Sequence, residues 1–199
     1  MMQTEIHTGM LSIYDICRNG TRVLGPDLRY VIWTQGCPFH CAECATPESR
    51  PITNNKNISI ITIASDILSK PDIKGITISG GEPFLQATSL ANLLMLVLKE
   101  RPELTVIVYT GYKIEDLTWD ASRNLLSHTD LLIDGPYLPN FNDNRGLRGS
   151  SNQKLHFLTP RLLPWKDELE NGKRKVEFHI QNDRIKAFGI PSIRMITNN

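Results

Sequence analysis

The sequence contains no long apolar run. None of its apolar stretches approaches the about 20 residues that are needed to span a bilayer. The first ten residues, MMQTEIHTGM, have no basic region followed by an apolar segment, so we expect no signal peptide. Together these absences predict a cytoplasmic protein that does not bind a membrane.

An excess of charge of either sign is also lacking. The chain has 22 Lys and Arg residues and 21 Asp and Glu residues, for a formal net charge of +1. This balance argues against a general binder of nucleic acid or of anionic membranes. The length of 199 residues and the hydrophobic fraction of 40% are typical of one globular domain, which we expect to span residues 1–199.

Cysteine is scarce, and three of the four cysteines lie in one stretch, TQGCPFHCAECATPESR. Cys37, Cys41 and Cys44 have the spacing C-x3-C-x2-C, whereas Cys17, in LSIYDIC, has the surroundings of a buried free cysteine. The cytosol keeps thiols reduced, so a cluster of cysteines there indicates a metal site or catalysis more than a disulfide.

Three thiols leave a metal site one ligand short. Structural zinc takes four protein ligands, and His40, directly before Cys41, is awkwardly placed to be the fourth. A [4Fe-4S] cluster takes one cysteine per iron, so three cysteines leave one iron open to a substrate or cofactor. The pattern therefore favours an open cluster over a zinc-binding module.

Strand-like and helix-like segments alternate along the first two thirds of the chain. Short apolar runs predict strands, and segments with helical spacing, headed by possible N-caps at Ser59 and Ser89, predict helices between them. The predicted strands are residues 30–35, 76–79, 105–110 and 131–134, and the predicted helices are residues 60–69, 89–100 and 114–127. This alternation predicts an α/β fold with a parallel sheet and right-handed crossovers.

Polar or glycine-rich residues follow each predicted strand at once: GCPFHC, GGEP, GY and GPY. Ligands of parallel α/β folds bind at the carboxyl ends of the strands, so these segments should converge on one site. Later in the chain, residues 154–158 predict a further strand. Residues 176–180 and 184–188 flank a polar turn and predict a β-hairpin.

The C-x3-C-x2-C loop after a strand resembles the signature of the radical S-adenosylmethionine (SAM) enzymes, and Gly80-Gly81-Glu82-Pro83 resembles their second motif. The resemblance implies that Cys37, Cys41 and Cys44 hold a [4Fe-4S] cluster whose open iron binds SAM. It also implies that Gly80, Gly81 and Glu82 contact the methionine part of SAM, which is cleaved reductively. No catalytic residue beyond the cluster and SAM is expected.

Further stretches are similar to one branch, the activating enzymes of glycyl radical enzymes. These stretches are GPDLRYVIWTQGCP and CAECATPES, and YTGYKIEDL, LLIDGPY and RGSSNQ point to the activators of anaerobic ribonucleotide reductase. The similarity covers about residues 9–158 and leaves 159–199 as a C-terminal extension. It implies a partial TIM-type β/α barrel with the hairpin as an extension, a glycyl radical enzyme as partner, and flavodoxin or ferredoxin as electron donor.

The same resemblance suggests SAM contacts from Glu43, Cys44, Ala45 and Asp134. Glu43 stands where relatives place an aromatic residue or glycine, so its side chain must point away while the backbone contacts adenine. Asp134 would order the SAM side of the site, although an Asp before Gly-Pro is also a common turn former. Two other functions remain open: a radical SAM enzyme acting on a small molecule of the deazapurine type, and an activator of a different glycyl radical enzyme.

Overall fold

The computed structural model describes residues 9–52, 56–181 and 184–190. Its strands, in chain order, are β1 (Met10–Thr21), β2 (Arg29–Thr34), β3 (Asn57–Ser59), β4 (Gly75–Gly80), β5 (Thr105–Tyr109), β6 (Leu131–Asp134), β7 (Lys154–Phe157), β8 (Val176–Gln181) and β9 (Arg184–Gly189). Its α-helices are α1 (Ile60–Leu68), α2 (Ala87–Glu100), α3 (Asp120–Ser127) and α4 (Lys166–Asn171). Residues 1–8, for which no signal peptide is expected, lie outside the described residues, and so do residues 182–183 of the predicted hairpin.

Seven strands form one sheet in the order β3-β1-β2-β4-β5-β6-β7. The four strands predicted from apolar runs, β2, β4, β5 and β6, are parallel neighbours, which confirms the α/β class. They are almost wholly buried, as expected for parallel strands covered on both faces. The edges are antiparallel: β1 pairs with β2 and β3, and β7 pairs with β6.

Two of the three predicted helices start at residues other than those predicted. Ser59 does cap α1, because its side chain accepts a hydrogen bond from the Ile61 amide. The predicted cap Ser89 is wrong: α2 begins two residues earlier, at Ala87, and Ser89 is buried within it. The predicted helix 114–127 is two elements, a 3-10 turn at Ile114–Asp116 and then α3.

The sheet is covered on both faces. On one face, α1, α2 and α3 pack against the strands in the largest apolar cluster, which includes Ile32, Ile78 and Leu94. On the other face, Leu162 and Leu169, from the chain after β7, join the buried strand residues Ile107, Leu131 and Ile133. In the described part of the chain, no helix is long and apolar enough to cross a membrane.

The rim at the amino ends of the parallel strands is fastened by one buried arginine. Arg29, at the start of β2, donates hydrogen bonds to the hydroxyls of Thr77 and Thr105 at 2.7 and 2.9 Å and to the carbonyl of Ile76 at 2.8 Å. Burial lowers the pKa of Arg29 to about 10, so the side chain remains charged at neutral pH. Arg29 therefore joins β2, β4 and β5 at the end opposite the candidate site.

Strands β8 and β9 pair antiparallel and form a separate two-stranded unit, here called the C-terminal ribbon. Phe188 of the ribbon stacks on Trp33 with ring centroids 5.7 Å apart. The Glu177 carboxylate accepts a hydrogen bond from the Thr21 hydroxyl at 2.7 Å, and Lys186 pairs with Asp15 at 2.8 Å. The ribbon is thereby fastened to β1 and β2.

Candidate active site

The cysteine loop, residues 35–50, follows β2 and is held at its base by main-chain hydrogen bonds. The amide of Gly36 donates to the Ser49 carbonyl at 2.8 Å, and the amide of Cys37 donates to the Arg50 carbonyl at 2.9 Å. The thiols of Cys37, Cys41 and Cys44 are free and half-buried. All three cysteines line one cavity of about 590 Å³ at the carboxyl ends of the parallel strands.

Three soft thiol ligands around one cavity fit an iron–sulfur cluster with an open iron. Burial raises the pKa of Cys37 to about 11, and the nearby charges of Glu82, Cys41 and Cys44 act in the same direction. A cysteine binds iron as the thiolate, so the positive charge of iron has to offset this burial. No three His, Cys, Asp or Glu side chains among the described residues lie close enough together to hold a single metal ion.

Gly80, the last residue of β4, and Gly81, which follows it, bring that strand end into contact with the start of the cysteine loop. Gly81 donates its amide to the Thr34 carbonyl at 2.8 Å, and Glu82 donates its amide to the Gly36 carbonyl at 2.7 Å. A Cβ on Gly81 would collide with the Gly36 carbonyl oxygen, and Gly80 has a φ of +103°, in the region that favours glycine. Both glycines line the cavity, so the GGEP backbone is open to a ligand beside the thiols.

Glu82 also lines the cavity but is almost completely buried. Its carboxylate accepts hydrogen bonds from the Phe84 amide at 2.9 Å, the Thr110 hydroxyl at 2.9 Å and the Gly111 amide at 2.8 Å. Burial raises its pKa to about 7. Glu82 thus ties the end of β4 to the end of β5, whereas the sequence suggested only a contact with SAM.

Glu43 and Ala45 line the cavity on the side of the cysteine loop. Glu43 has a φ of +54°, in the left-handed region where a side chain is strained and glycine is favoured. Its side chain is exposed. The backbone conformation thus explains why glycine suits this position.

Asp134 has structural partners. Its buried carboxylate accepts a hydrogen bond from the Ile114 amide at 2.7 Å and lies 3.0 Å from Nε2 of His156. Gly135 and Tyr137, just after it, line the cavity in its place. Asp134 therefore positions the turns around the rim, and a direct SAM contact from it stays a prediction.

The RGSSNQ segment is folded into the rim through Gln153. Its side-chain oxygen accepts hydrogen bonds from the amides of Gly149 and Ser150 at 2.8 and 3.2 Å, and its side-chain nitrogen donates to the Gly135 carbonyl at 2.8 Å. Gly149 and Gln153 also line the cavity. The segment therefore closes the wall of the cavity beside β6.

Several cavity residues were not predicted from the sequence. Phe39, inside the cysteine loop, covers Gly111, where a Cβ would lie 2.6 Å from the ring. Tyr14 lines the cavity from β1, and Arg50 does so from the end of the cysteine loop. The short alternation at Leu11 and Ile13, at the start of β1, is the one local signal that could have indicated this strand and with it Tyr14.

Comparison with known proteins agrees with this site. Residues 23–156 match the family described as "4Fe-4S single cluster domain". The anaerobic ribonucleoside-triphosphate reductase-activating protein of Enterobacteria phage T4 is 32% identical over 137 residues, which is 67% of this chain and 86% of that protein. The protein of the same name from Haemophilus influenzae is 29% identical over 139 residues, 66% of this chain and 89% of that protein. The pyruvate formate-lyase-activating enzyme of Staphylococcus aureus is 28% identical over 142 residues, 67% of this chain and 55% of that enzyme.

Proposed function

This chain belongs to the family of activating proteins that carry a 4Fe-4S single cluster domain, and from this premise we propose that it activates an anaerobic ribonucleotide reductase. It is an enzyme of the radical SAM type, with a [4Fe-4S] cluster and SAM as cofactors. The observation that carries the proposal is the meeting of three free thiols and the open GGEP backbone on one cavity.

Each part of the cavity has a role in this function. Cys37, Cys41 and Cys44 would hold the cluster, and Gly80 with Gly81 would offer backbone groups to the methionine end of SAM. The backbone of Glu43–Ala45 would contact the adenine end. When bound, the cluster and SAM supply the one-electron chemistry that removes a hydrogen atom from a glycine of the partner.

Aromatic side chains around the thiols would limit the access of water. The rings of Phe39 and Tyr112 pack edge-to-face with their centroids 4.9 Å apart, and Tyr14 and Trp33 also line the cavity. A dry site protects a reactive intermediate from side reactions. Glu82 holds the ends of β4 and β5 at a fixed distance, which keeps the methionine site in place beside the cluster.

We infer that the sheet is an incomplete TIM-type barrel in a single domain. A complete barrel has eight β/α units in about 250 residues, whereas the described part of this chain has four parallel strands with antiparallel strands at both edges of the sheet. An incomplete barrel leaves one side open for a protein loop that carries the substrate glycine. The electron would come from flavodoxin or ferredoxin in the cytoplasm.

The test is electron paramagnetic resonance of the reduced, reconstituted protein with SAM and the anaerobic ribonucleotide reductase of the same genome. A glycyl radical doublet on the reductase is expected, together with cleavage of SAM. Cys41→Ala should abolish both, whereas Cys17→Ala, which changes a buried cysteine away from the cavity, should retain both.

Three results would contradict this proposal. Retained SAM cleavage in Cys41→Ala would refute the ligand assignment. Stoichiometric zinc without iron or sulfide in anaerobically purified protein would refute the cluster. Cleavage of SAM without a glycyl doublet would point to another substrate, either a different glycyl radical enzyme or a small molecule.

A further inference from the structure

We propose that the apolar outer face of the C-terminal ribbon is a docking surface for the glycyl radical enzyme that this protein activates. This inference rests on the proposed function and adds to it the surface that recognises the partner. The ribbon begins at residue 176, beyond the residues that match the 4Fe-4S family. The ribbon therefore lies outside the part of the chain that carries the cysteines and the GGEP segment, although one end of it borders their cavity.

The register of β8 and β9 sorts their side chains onto two faces. Paired residues of antiparallel strands lie on the same face, and successive residues alternate between faces. The outer face consists of the pairs Val176–Gly189, Phe178–Ala187 and Ile180–Ile185, and the inner face contains Glu177–Phe188 and His179–Lys186. One face is thus apolar and the other mixes charge with one aromatic ring.

The inner face is bound to the body of the protein. Phe188 is buried between Trp33 and the His179 ring, whose centroid lies 4.6 Å away. Glu177 accepts a hydrogen bond from the Arg22 amide at 2.9 Å in addition to its contact with β1. Because these contacts fix the orientation of the ribbon, its apolar face is held outward.

The outer face exposes three large apolar side chains. Phe178 is 58% exposed, Ile180 is 73% exposed and Ile185 is 67% exposed. Scattered apolar residues are normal on a surface, but neighbouring ones on one face of a strand pair form a patch of the kind that marks interaction sites. Aromatic residues are enriched in such interfaces.

One end of the ribbon borders the cavity that holds the thiols. Val176, Ala187 and Gly189 of the apolar face line the cavity, and so do Lys186 and Phe188 of the inner face. Phe178, Ile180 and Ile185 do not line the cavity and lie farther along the apolar face. A protein segment that reaches the cavity along the ribbon would contact these three side chains. A small molecule would touch only the cavity end, so the exposed outer end fits a protein partner.

The experiment compares a double variant, Ile180→Thr with Ile185→Thr, with the single variant Ile61→Thr. Threonine keeps the β-branched shape and the strand propensity but removes apolar surface. Ile61 is the matched control because it is 70% exposed on α1 and does not line the cavity. Anaerobic biolayer interferometry would measure the affinity of each reconstituted protein for the same-genome reductase, and spin counting would measure the glycyl radical.

The ribbon variant should bind the reductase about tenfold more weakly or worse, as expected for the loss of two apolar interface contacts. When the activating protein is limiting, the ribbon variant should produce less glycyl radical on the reductase than the parent protein does. Its rate of SAM cleavage without the reductase should match that of the parent protein. Ile61→Thr should match the parent in all three measurements. Circular dichroism of the ribbon variant would verify that the fold is retained.

Parent-like affinity and radical yield in the ribbon variant would overturn this inference while leaving the proposed function intact. Parent-like affinity with a loss of self-association in sedimentation would also overturn it, because the face would then belong to a second copy of the chain. A parent protein that cleaves SAM but neither binds the reductase nor forms its radical would overturn the proposed function and this inference with it.

Discussion

Two glutamates that line the cavity are placed by their surroundings in opposite ways. Glu43 is exposed but has a left-handed backbone, so its constraint is conformational. Glu82 has an ordinary backbone but is buried among hydrogen-bond donors, so its constraint is electrostatic. Each can be tested by a single substitution.

Glu43→Gly should raise the free energy of unfolding by about 0.5–1 kcal/mol. A residue with a side chain costs about 1–2 kcal/mol in the left-handed region, and glycine avoids this strain. The larger conformational entropy of glycine in the unfolded chain offsets part of the gain in stability. Glu43→Ala is the control, because alanine carries the same strain and should leave stability unchanged. Urea unfolding measures both variants, and equal stability of the Gly and Ala variants would contradict the prediction.

Glu82 should make stability fall as the pH rises. Its pKa is about 7 in the folded protein and close to the usual 4.5 in the unfolded chain. Between these values the folded state binds more protons, so its stabilisation is complete below pH 4.5 and is lost as the pH rises through 7. This difference in pKa corresponds to a loss of about 3 kcal/mol in the free energy of unfolding over that pH range, since one pKa unit is about 1.4 kcal/mol.

Glu82→Gln should remove this slope, because a glutamine side chain does not titrate. It should also lower the free energy of unfolding at low pH by about 1–3 kcal/mol, because the side-chain NH2 group of glutamine would face a backbone N–H donor. Urea unfolding of the cluster-free protein between pH 5 and about pH 8 would measure the slope. Glu100→Gln, at the exposed end of α2, should keep the slope of the parent protein. The same slope in both variants would assign the effect to another group.

At the scale of elements, the site depends on how the end of β4 meets the loop after β2. The parallel pairing of Thr34 with Gly80 brings the two strand ends to the same height. The Gly81 amide then donates to the carbonyl of Thr34 at the end of β2, and the Glu82 amide donates to the carbonyl of Gly36 in the cysteine loop. The two motifs are thus one structural unit, although more than 30 residues separate them in the chain.

Gly81→Ala should disrupt this unit. Its Cβ would collide with the Gly36 carbonyl, which belongs to the backbone and cannot rotate away. We expect a loss of about 2–4 kcal/mol in stability, the range of severe packing changes, and a reduced iron and sulfide content after anaerobic reconstitution. Gly9→Ala is the control, because a Cβ there meets nothing within 4 Å. Full cluster content in Gly81→Ala would contradict the prediction.

At the scale of the whole molecule, the chain after β7 completes the core. Leu162 and Leu169 cover the strand face formed by Ile107, Leu131 and Ile133, and Phe188 covers Cys17, Leu24 and Val31. The 4Fe-4S family match ends at residue 156, yet the chain after that residue contributes to two of the apolar clusters. The C-terminal extension thus packs against the sheet and forms part of the hydrophobic core.

A chain that ends at Leu158 should therefore fail to fold cooperatively. It would lose Leu162, Leu169 and Phe188, and burying each such side chain contributes about 1.5–3 kcal/mol. The sum is comparable to the about 5–15 kcal/mol of stability that a domain has. A chain that ends at Ile190 keeps these contacts and is the control. A cooperative thermal transition of the shorter chain, measured by circular dichroism, would show that its core is independent.

The strands and the cysteine loop could be predicted because their signals are local. β2, β4, β5 and β6 are short apolar runs that end at polar or glycine residues, and those ends meet on one rim by the geometry of parallel strands. β1 was missed because it is an irregular strand with shifts in its register and apolar and polar positions that alternate only in part. The start of α2 was missed because Gln86, just before it, bonds instead to Ser12 of β1.

The sequence by itself determined the class of the fold, the parallel strands and the loop in which three thiols gather, because each follows from residues that are neighbours in the chain. Only the tertiary structure decided the partners of Glu82 and Asp134 and the side of the C-terminal ribbon that faces outward. Glu82 bonds to Gly111, and Glu177 bonds to Thr21 across 156 positions of sequence. Such contacts depend on how distant segments pack against each other, which the periodicity of a single sequence does not encode.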